Sequence, residues 1–250
     1  MSINHIIRLS ATPENFGEVE DEIDESMFVS TAPVQHTHSY YENEEIGLYI
    51  GVWDTTDMTE TGGPYSCDEF MWLLEGEVDI QNNESGQREK VAAGEAFVIP
   101  KGYNCQWQQQ GYLRKFYVIS EHPNESVPSA PSIKGICKPT LKIEGKGDVS
   151  IHSQVASTNA VTQSEQLCYQ DTLGRFTSGT WEVSAFESSL MMYPHHEFMV
   201  IQNGSVTLLD EQGSEQLFQA GDALFIPQGT PCRWQVSGNL RAFFAAIKSA

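Results

Sequence analysis

One pattern of residues occurs twice in this chain of 250 residues. Each copy contains, in the same order, a Gly-x-Trp triplet, a Glu-Phe-Met run, a Gly-x5-Pro-x-Gly segment and a Cys-x-Trp triplet. The glutamates of the two copies, Glu69 and Glu197, are 128 residues apart (197 − 69), and the prolines, Pro100 and Pro227, are 127 apart (227 − 100). Agreement at so many positions indicates a tandem duplication, so the chain is predicted to fold into two similar units.

The one-residue difference in spacing falls between the Glu-Phe-Met run and the Gly-x5-Pro segment. Here the first copy reads Asn-Asn-Glu-Ser-Gly over residues 82–86, and the second reads Asp-Glu-Gln-Gly over residues 210–213. Both are typical of turns that connect the strands of a β-hairpin. The tip of a hairpin tolerates an inserted residue better than a strand does, which supports a duplicated β-fold.

Each copy has the sequence pattern of an all-β domain. Short runs rich in Val, Ile, Phe, Tyr and Trp are bounded by Gly, Pro, Asn and Asp, and neither copy contains a convincing amphipathic helix. Even spacing of short strands favours a jelly-roll β-barrel. We predict an N-terminal extension over 1–35, a first barrel over 36–121, a linker and leading strand over 122–160, and a second barrel over 161–250.

The charge and the cysteines restrict the class of protein. Fourteen Lys and Arg against 34 Asp and Glu give a formal net charge of −20. Such an acidic surface repels phosphate backbones and anionic lipids, so we expect no nucleic-acid or membrane partner. The five cysteines are odd in number and far apart, which argues against a disulfide framework, and the absence of a signal-like segment predicts a cytoplasmic protein.

The repeated motifs resemble those of the cupin superfamily. Each copy has the Glu-x6-Gly of the first cupin motif, at Glu69 and Glu197, and the Gly-x5-Pro-x-Gly of the second, at Gly94 and Gly221. The finer pattern is similar to single-domain cupins of the Cupin_3 type, found among ethanolamine-utilisation and ureidoglycine aminohydrolase cupins. The resemblance implies a bicupin: two tandem jelly-roll barrels, each with a polar pocket inside.

The chain departs from the cupin pattern at the histidines that bind metal in that superfamily. Gly63 and Tyr65, and in the second copy Met191 and Tyr193, stand where the first motif has histidines. The histidine of the second motif is replaced by Cys105 and by Cys232, so the metal site of three His and one Glu cannot be carried over. Only the two glutamates keep their places.

Strand alternation predicts which side chains line each pocket. Residues two apart on a strand face the same side, so residues near Glu69 and Glu197 at even spacing should point inward together. The predicted pocket residues are Tyr65, Cys67, Glu69, Met71, Cys105 and Trp107 in the first barrel, and Tyr193, His195, Glu197, Met199, Cys232 and Trp234 in the second.

Two kinds of pocket chemistry are open. His195, Glu197 and Cys232 could bind one divalent metal (zinc, iron or manganese), because three protein ligands with an open position are typical of catalytic zinc sites; Cys67, Glu69 and Cys105 are the weaker counterpart. That arrangement would suit a hydrolase, isomerase or oxygenase. Alternatively, a metal-free pocket would bind a small polar metabolite, with Glu197 and His195 as acid–base groups and the tryptophans as walls.

A third hypothesis is a purely structural bicupin whose sites have degenerated. Because of His195, the second barrel is predicted to be the active one, and both monomer and homodimer are compatible with the sequence. His36 and His38 precede the repeated motifs and are expected to be surface or interface residues. Arg114 and Arg241, at matching positions, could pair with the pocket glutamates, bind an anion or form surface ion pairs.

Overall fold

The computed structural model describes residues 5–121, 133–143, 151–155 and 161–248. These residues form antiparallel β-sheets, with two single-turn 3₁₀ helices, Glu25–Met27 and His152–Gln154, as the helical elements of the described ranges. No helix within them is long and apolar enough to span a membrane. The chain divides into two compact units: residues 10–138, and residues 1–9 together with 139–250. The predicted all-β fold of two tandem barrels is confirmed.

The first barrel consists of two facing sheets. One sheet has the strand order β2-β3-β11-β6-β9, and the other has the order β4-β10-β7-β8, with β5 also paired to β10. The strands are β2 (Gln35–Asn43), β3 (Leu48–Thr55), β4 (Met58–Thr59), β5 (Gly63–Pro64), β6 (Asp68–Glu75), β7 (Glu77–Asn82), β8 (Arg88–Ala92), β9 (Ala96–Ile99), β10 (Asn104–Gln109) and β11 (Leu113–Ser120).

The second barrel repeats this arrangement with one additional strand. Its sheets have the orders β1-β19-β16-β21-β13-β12 and β14-β20-β17-β18, with β15 also paired to β20. The strands are β1 (Ile7–Leu9), β12 (Gln163–Gln170), β13 (Phe176–Val183), β14 (Phe186–Glu187), β15 (Met191–Met192), β16 (His196–Asn203), β17 (Ser205–Leu209), β18 (Glu215–Gln219), β19 (Ala223–Ile226), β20 (Pro231–Val236) and β21 (Leu240–Ile247). The length difference between the copies falls in the β7–β8 and β17–β18 hairpins, as predicted.

Part of the segment before each barrel pairs with the other copy. β1, from the predicted N-terminal extension, pairs antiparallel with β19, with Ile7 opposite Phe225. Cys137, from the predicted linker, forms a β-bridge to Val98 on β9. Val98 and Phe225 are equivalent residues, 127 apart (225 − 98). The edges of β9 and β19 are therefore covered by exchanged parts of the leading segments, while Phe28 bridges to Glu60 of the first barrel, and Ile151 and Val155 lie in the core of the second.

The glycine of each Gly-x-Trp triplet is required by a close approach of strands. A Cβ atom on Gly51 would lie 2.4 Å from both the His38 carbonyl oxygen and the Tyr117 hydroxyl. A Cβ atom on Gly179 would lie 2.4 Å from the Gln166 carbonyl oxygen. Only glycine fits at such distances. The triplet thereby brings β2 and β12 close to the tryptophan strands, Trp53 on β3 and Trp181 on β13.

The exchange of β1 predicts that its anchoring residue stabilises the second barrel. Ile6 is buried in the core of that barrel. We expect Ile6→Ala to lower the free energy of unfolding by about 2–4 kcal/mol, because it leaves a cavity in a packed core. Amide exchange should rise at Ala223–Ile226 in particular. Val19→Ala, on the exposed part of the extension, should change stability by less than about 0.5 kcal/mol. Increased exchange confined to the first barrel would contradict the assignment.

Candidate functional site

The inward glutamate of the first barrel is part of a buried ion pair. Glu69 lies on β6, and its Oε1 is 2.8 Å from Nζ of Lys115 on β11. Its Oε2 accepts a hydrogen bond from the Tyr65 hydroxyl. The side chains of Glu69 and Lys115 are 5% and 8% exposed, so the pair is largely removed from water. Each charge offsets the desolvation of the other.

The Lys115 ammonium is held in an aromatic cage. Its Nζ lies 4.7 Å from the ring centre of Trp53 and 5.0 Å from that of Trp107, distances typical of cation–π contacts. The Met71 sulfur is 3.1 Å away. Both tryptophans and Met71 thus position a cation that the sequence analysis did not select. Lys115 directly follows Arg114. The arginine recurs in the second copy as Arg241, whereas the lysine is replaced there by Ala242.

A cavity opens above this ion pair. Its volume is about 410 Å³. Its lining combines carboxylate, ammonium, hydroxyl and aromatic groups and includes Thr37, Ser39, Glu42, Tyr49, Trp53, Glu69, Lys115, Tyr117 and Ile119. Burial raises the pKa of the Tyr117 phenol to about 12, so this group is a hydrogen-bond donor at neutral pH. The first barrel therefore has a pocket with a charged floor and polar walls.

A second carboxylate of the first barrel, Glu60, has a strongly altered pKa. Burial raises its pKa to about 7; attraction to Lys115 opposes this increase and repulsion from Glu69 adds to it. Glu60 follows β4, in a short segment without a clear strand period, and the equivalent residue of the second barrel is Ser188 (188 − 60 = 128). A carboxyl with a pKa near 7 can both give and take a proton at physiological pH.

The inward glutamate of the second barrel is more completely enclosed. Glu197 on β16 has no exposed surface, and its Oε1 is 2.7 Å from Nε2 of His152. Its Oε2 accepts from the Tyr193 hydroxyl and lies 3.2 Å from Nε2 of His195. Burial by itself would raise the pKa of Glu197, but the charges and hydrogen bonds of His152 and His195 hold it well below its usual range.

His152 is the central residue of this second network. Its Nδ1 is 2.7 Å from Oε1 of Glu165, which comes from β12. Its ring stacks on Trp181 at a centroid distance of 4.1 Å and an interplanar angle of 7°, and meets Phe244 edge to face. Burial would lower its pKa, but the charge of Glu197 and hydrogen bonds to both carboxylates raise it to about 9. The imidazole is therefore a cation at neutral pH.

The predicted metal sites are not formed in this arrangement. Both oxygens of Glu69 and of Glu197 are bonded to protein groups, and a metal would have to displace Lys115 or His152. Without a metal, burial raises the pKa of Cys105 and of Cys232 to about 12 and also raises that of Cys67, so these thiols are protonated. Across the described ranges, no three His, Cys, Asp or Glu side chains converge to hold a metal ion. Metal binding by the ligand sets proposed from the sequence stays a prediction.

The structure brings most of the other predicted pocket residues inside the barrels. Met199, Cys232 and Trp234 lie in the core of the second barrel, and Cys105 and Trp107 in that of the first. Trp234 stacks with Tyr193 at 6.1 Å. These side chains form walls and packing, whereas the polar groups that complete each network are Lys115, Glu60, His152 and Glu165, none of which the sequence analysis selected.

The remaining candidates lie outside the cavity above Glu69, and Arg241 lines a separate cavity of about 450 Å³. Nδ1 of His36 lies 2.7 Å from Oδ1 of Asp54, and His38 meets Tyr40 edge to face at 4.8 Å. Arg114 lies 3.7 Å from Glu75. Arg241 likewise pairs with Glu182. Of the three roles considered for the arginines, the structure shows partly exposed ion pairs and not contacts with the pocket glutamates.

The charge on His152 predicts a pH dependence of stability. Its pKa is about 9 in the folded state, against about 6.5 in the unfolded chain, so its contribution is complete below pH 6.5 and is lost as the pH rises through 9. The groups that face it are Glu165 and Glu197, and Glu197 in turn contacts His195 and Tyr193.

Between pH 6.5 and 8.5 we expect the free energy of unfolding, measured by urea titration, to fall by about 2–3 kcal/mol. The ring of His152 should titrate near pH 9 in NMR spectra. His5→Gln, which removes an exposed histidine, should leave the shape of the stability curve unchanged. Constant stability over this range, with a His152 midpoint near 6.5, would contradict the charged pair.

Comparisons with known proteins agree with this fold. The family model for the EutQ-like cupin domain (Cupin_3) matches residues 47–117 and 170–242, more than half of the chain. No curated protein matches the sequence.

Solved structures show the same fold. A protein of unknown function of the DUF861 family from Pseudomonas syringae pv. tomato has a TM-score of 0.74 at 21% identity, covering 98% of this chain and all of its own. A putative dioxygenase from Nostoc punctiforme has a TM-score of 0.63 at 11% identity, with 98% and 83% of the two chains covered. Salicylate 1,2-dioxygenase from Pseudaminobacter salicylatoxidans has 0.51 at 10% identity, covering 81% and 71%. On the two matches to its domain, the chain belongs to the EutQ-like cupin family and is a bicupin with two such domains.

Proposed function

We propose that this bicupin binds a small polar molecule in the pocket of its first barrel, above the Glu69–Lys115 pair. The single observation that carries the proposal is the cavity of about 410 Å³ that has this pair in its lining. The sequence-based hypothesis preferred the second barrel, with Glu197 and His195 as the working groups. The first barrel is preferred here because Glu197 is fully enclosed by groups of its own chain and is not accessible to a ligand.

Lys115 has hydrogen-bonding capacity left for a ligand. An ammonium group carries three N–H bonds. Glu69 and Met71 are the two contacts of Nζ at hydrogen-bonding distance, and the tryptophan rings need no N–H bond. A carboxylate or carbonyl oxygen of a ligand would use the third. Lys115 and Trp53 both line the cavity, so a ligand bound there could contact the ammonium and the indole ring together.

The walls suit a ligand with a hydrogen-bond donor as well. Glu42 and Thr37 lie at the cavity rim and can accept from an amine, amide or hydroxyl, while Tyr117 can donate. Few charged groups among aromatic and hydroxyl side chains are the usual composition of a small-molecule site. A hydroxy- or amino-carboxylate matches the chemistry of this lining, and the volume leaves room for one larger than lactate or glycine.

A second candidate function is proton transfer on the bound molecule. It is suggested by Glu60, whose pKa near 7 suits general acid–base catalysis. Glu60 is not in the cavity lining, so a proton would pass between it and the ligand through Lys115 or Glu69, the two charged groups with which it interacts. In this case Glu60→Gln would abolish turnover without weakening binding, whereas a binding protein would be unaffected. The putative dioxygenase and salicylate dioxygenase among the similar structures share the fold only, and the Tyr and Cys residues at the cupin histidine positions do not support the same chemistry here.

The test is a binding measurement on a charge-neutralised first barrel. Calorimetric titration with glycolate, lactate and glycine should find a ligand of the wild-type protein, and Glu69→Gln/Lys115→Met should weaken it at least tenfold. Removing both charges together avoids leaving one of them buried and unpaired, so the fold should survive. The loss expected for one charged hydrogen bond is about 1.5–3 kcal/mol, a factor of roughly 10 to 150.

The matched control is Glu77→Gln/Lys90→Met. It removes an exposed ion pair of the same composition from the same barrel, outside the cavity. This variant should bind like the wild type. Equal affinity of both double variants for a ligand, or no binding by the wild type of any member of a wider set of hydroxy- and amino-carboxylates, would contradict the proposal.

A further inference from the structure

The imidazole of His152 sits in the second barrel with the contacts of a bound ligand. It carries a carboxylate at 2.7 Å on each ring nitrogen, Glu165 on one side and Glu197 on the other. One ring face lies flat on Trp181, and Phe244 points at the ring from a centroid distance of 4.8 Å. Its exposure is zero. Opposed acceptors, a stacking surface and complete enclosure together select a flat cation with N–H groups on opposite edges.

In the first barrel, too, a cation lies between the inward glutamate and the tryptophan of the Gly-x-Trp triplet. There the cation is Lys115, which pairs with Glu69 and lies over Trp53. The equivalent residue of the second barrel is Ala242, which faces Trp181 across the strands as Lys115 faces Trp53. Alanine leaves the volume of a lysine side chain vacant. The imidazole of His152 fills it from a segment outside the repeated motifs.

Glu165 distinguishes the second position from the first. It lies opposite Trp181 on β12, where Thr37 lies opposite Trp53 on β2. The carboxylate also accepts hydrogen bonds from the backbone N–H groups of Ile151 and His152, at 3.1 and 2.7 Å. The two carboxylates together carry more charge than a single imidazolium. They contact different ring nitrogens, Glu165 at Nδ1 and Glu197 at Nε2. A lysine ammonium could not reach both, whereas a planar cation can.

We propose that the second barrel is a binding site for a small planar cation with opposed N–H donors, such as imidazolium, and that His152 occupies it as an internal ligand. The residues that form the site are Glu165, Glu197, Trp181 and Phe244. This site is separate from the pocket of the first barrel, so either proposal can fail without the other. Segment 151–155 competes with any free ligand, because an attached ligand acts at a high effective concentration.

The test removes the internal ligand and supplies it from solution. His152→Gly should bind one imidazole per chain at pH 7, measured by calorimetry and by a rise in the thermal unfolding midpoint. A ligand of five heavy atoms should reach a Kd of about 1 mM. The wild type should bind none at the same concentrations. Adding Trp181→Leu to His152→Gly should weaken imidazole about tenfold, through loss of the stacked cation–π contact.

Pyrrole is the matched ligand control. It has the same ring size, one N–H group and no charge, so it should bind at least tenfold more weakly than imidazole. Equal binding of pyrrole would reduce the result to the filling of a cavity and overturn the proposal. Folded His152→Gly that does not bind imidazole up to about 100 mM, roughly a hundred times the expected Kd, would also overturn it.

His152→Ala, which keeps a methyl group in the segment, is the second variant should the glycine variant not fold. If neither variant is folded in buffer, both are refolded with imidazole. Recovery of the near-UV circular dichroism spectrum with imidazole, but not with pyrrole, supports the proposal. Failure of imidazole to recover either variant overturns it.

Discussion

The structure of each barrel depends on one buried carboxylate that has to be neutralised. Glu69 and Glu197 face inward from equivalent strands, where water cannot solvate their charge. Each meets the same requirement with a tyrosine hydroxyl on one oxygen and a cation on the other, and each cation lies against the tryptophan of the Gly-x-Trp triplet. The repeated Tyr therefore stabilises the repeated Glu directly, and the repeated Trp contacts the cation that neutralises it. The source of the cation is what differs between the copies.

That difference separates an open barrel from a closed one. Lys115 reaches its glutamate from within its own sheet, so the space above it is left as a cavity. His152 arrives from a segment whose flanking residues Ile151 and Val155 are buried in the core of the second barrel. The same pairing that satisfies Glu197 therefore fills the pocket. Both copies therefore keep a buried glutamate that needs a cation. Lys115 supplies the cation and leaves a cavity in the first barrel, whereas His152 supplies it and fills the space in the second.

The sequence was sufficient for the fold and for part of each site. The repeat, the hairpin insertion and the inward direction of Glu69, Glu197, the tyrosines and the tryptophans follow from spacing and strand alternation. Lys115 also follows the strand alternation. The second copy has Ala242 at the equivalent position, so comparing the two copies does not identify the lysine. His152 and Glu60 lie in segments with no period to read, and only the three-dimensional path of the chain brings them to the carboxylates. The cysteines occupy histidine positions yet remain protonated packing residues, because a thiol loses its proton in a dry core only when a metal or cation is present to stabilise the thiolate.

The exchange of leading segments has a consequence for the order of folding. Ile7 pairs with Phe225, 218 residues later (225 − 7), whereas the bridge from Val98 to Cys137 spans 39 (137 − 98). The first unit can thus be completed while the chain is still being synthesised, but the second needs a strand made at the very beginning. During that interval Ile6 and Leu9 have no β19 edge to join, and the nascent chain carries an unpaired apolar strand until synthesis has passed Ile226. The second barrel does not correspond to a continuous stretch of the chain, because it combines residues 1–9 with residues 139–250, so cutting the sequence between the two units would leave the second one without β1.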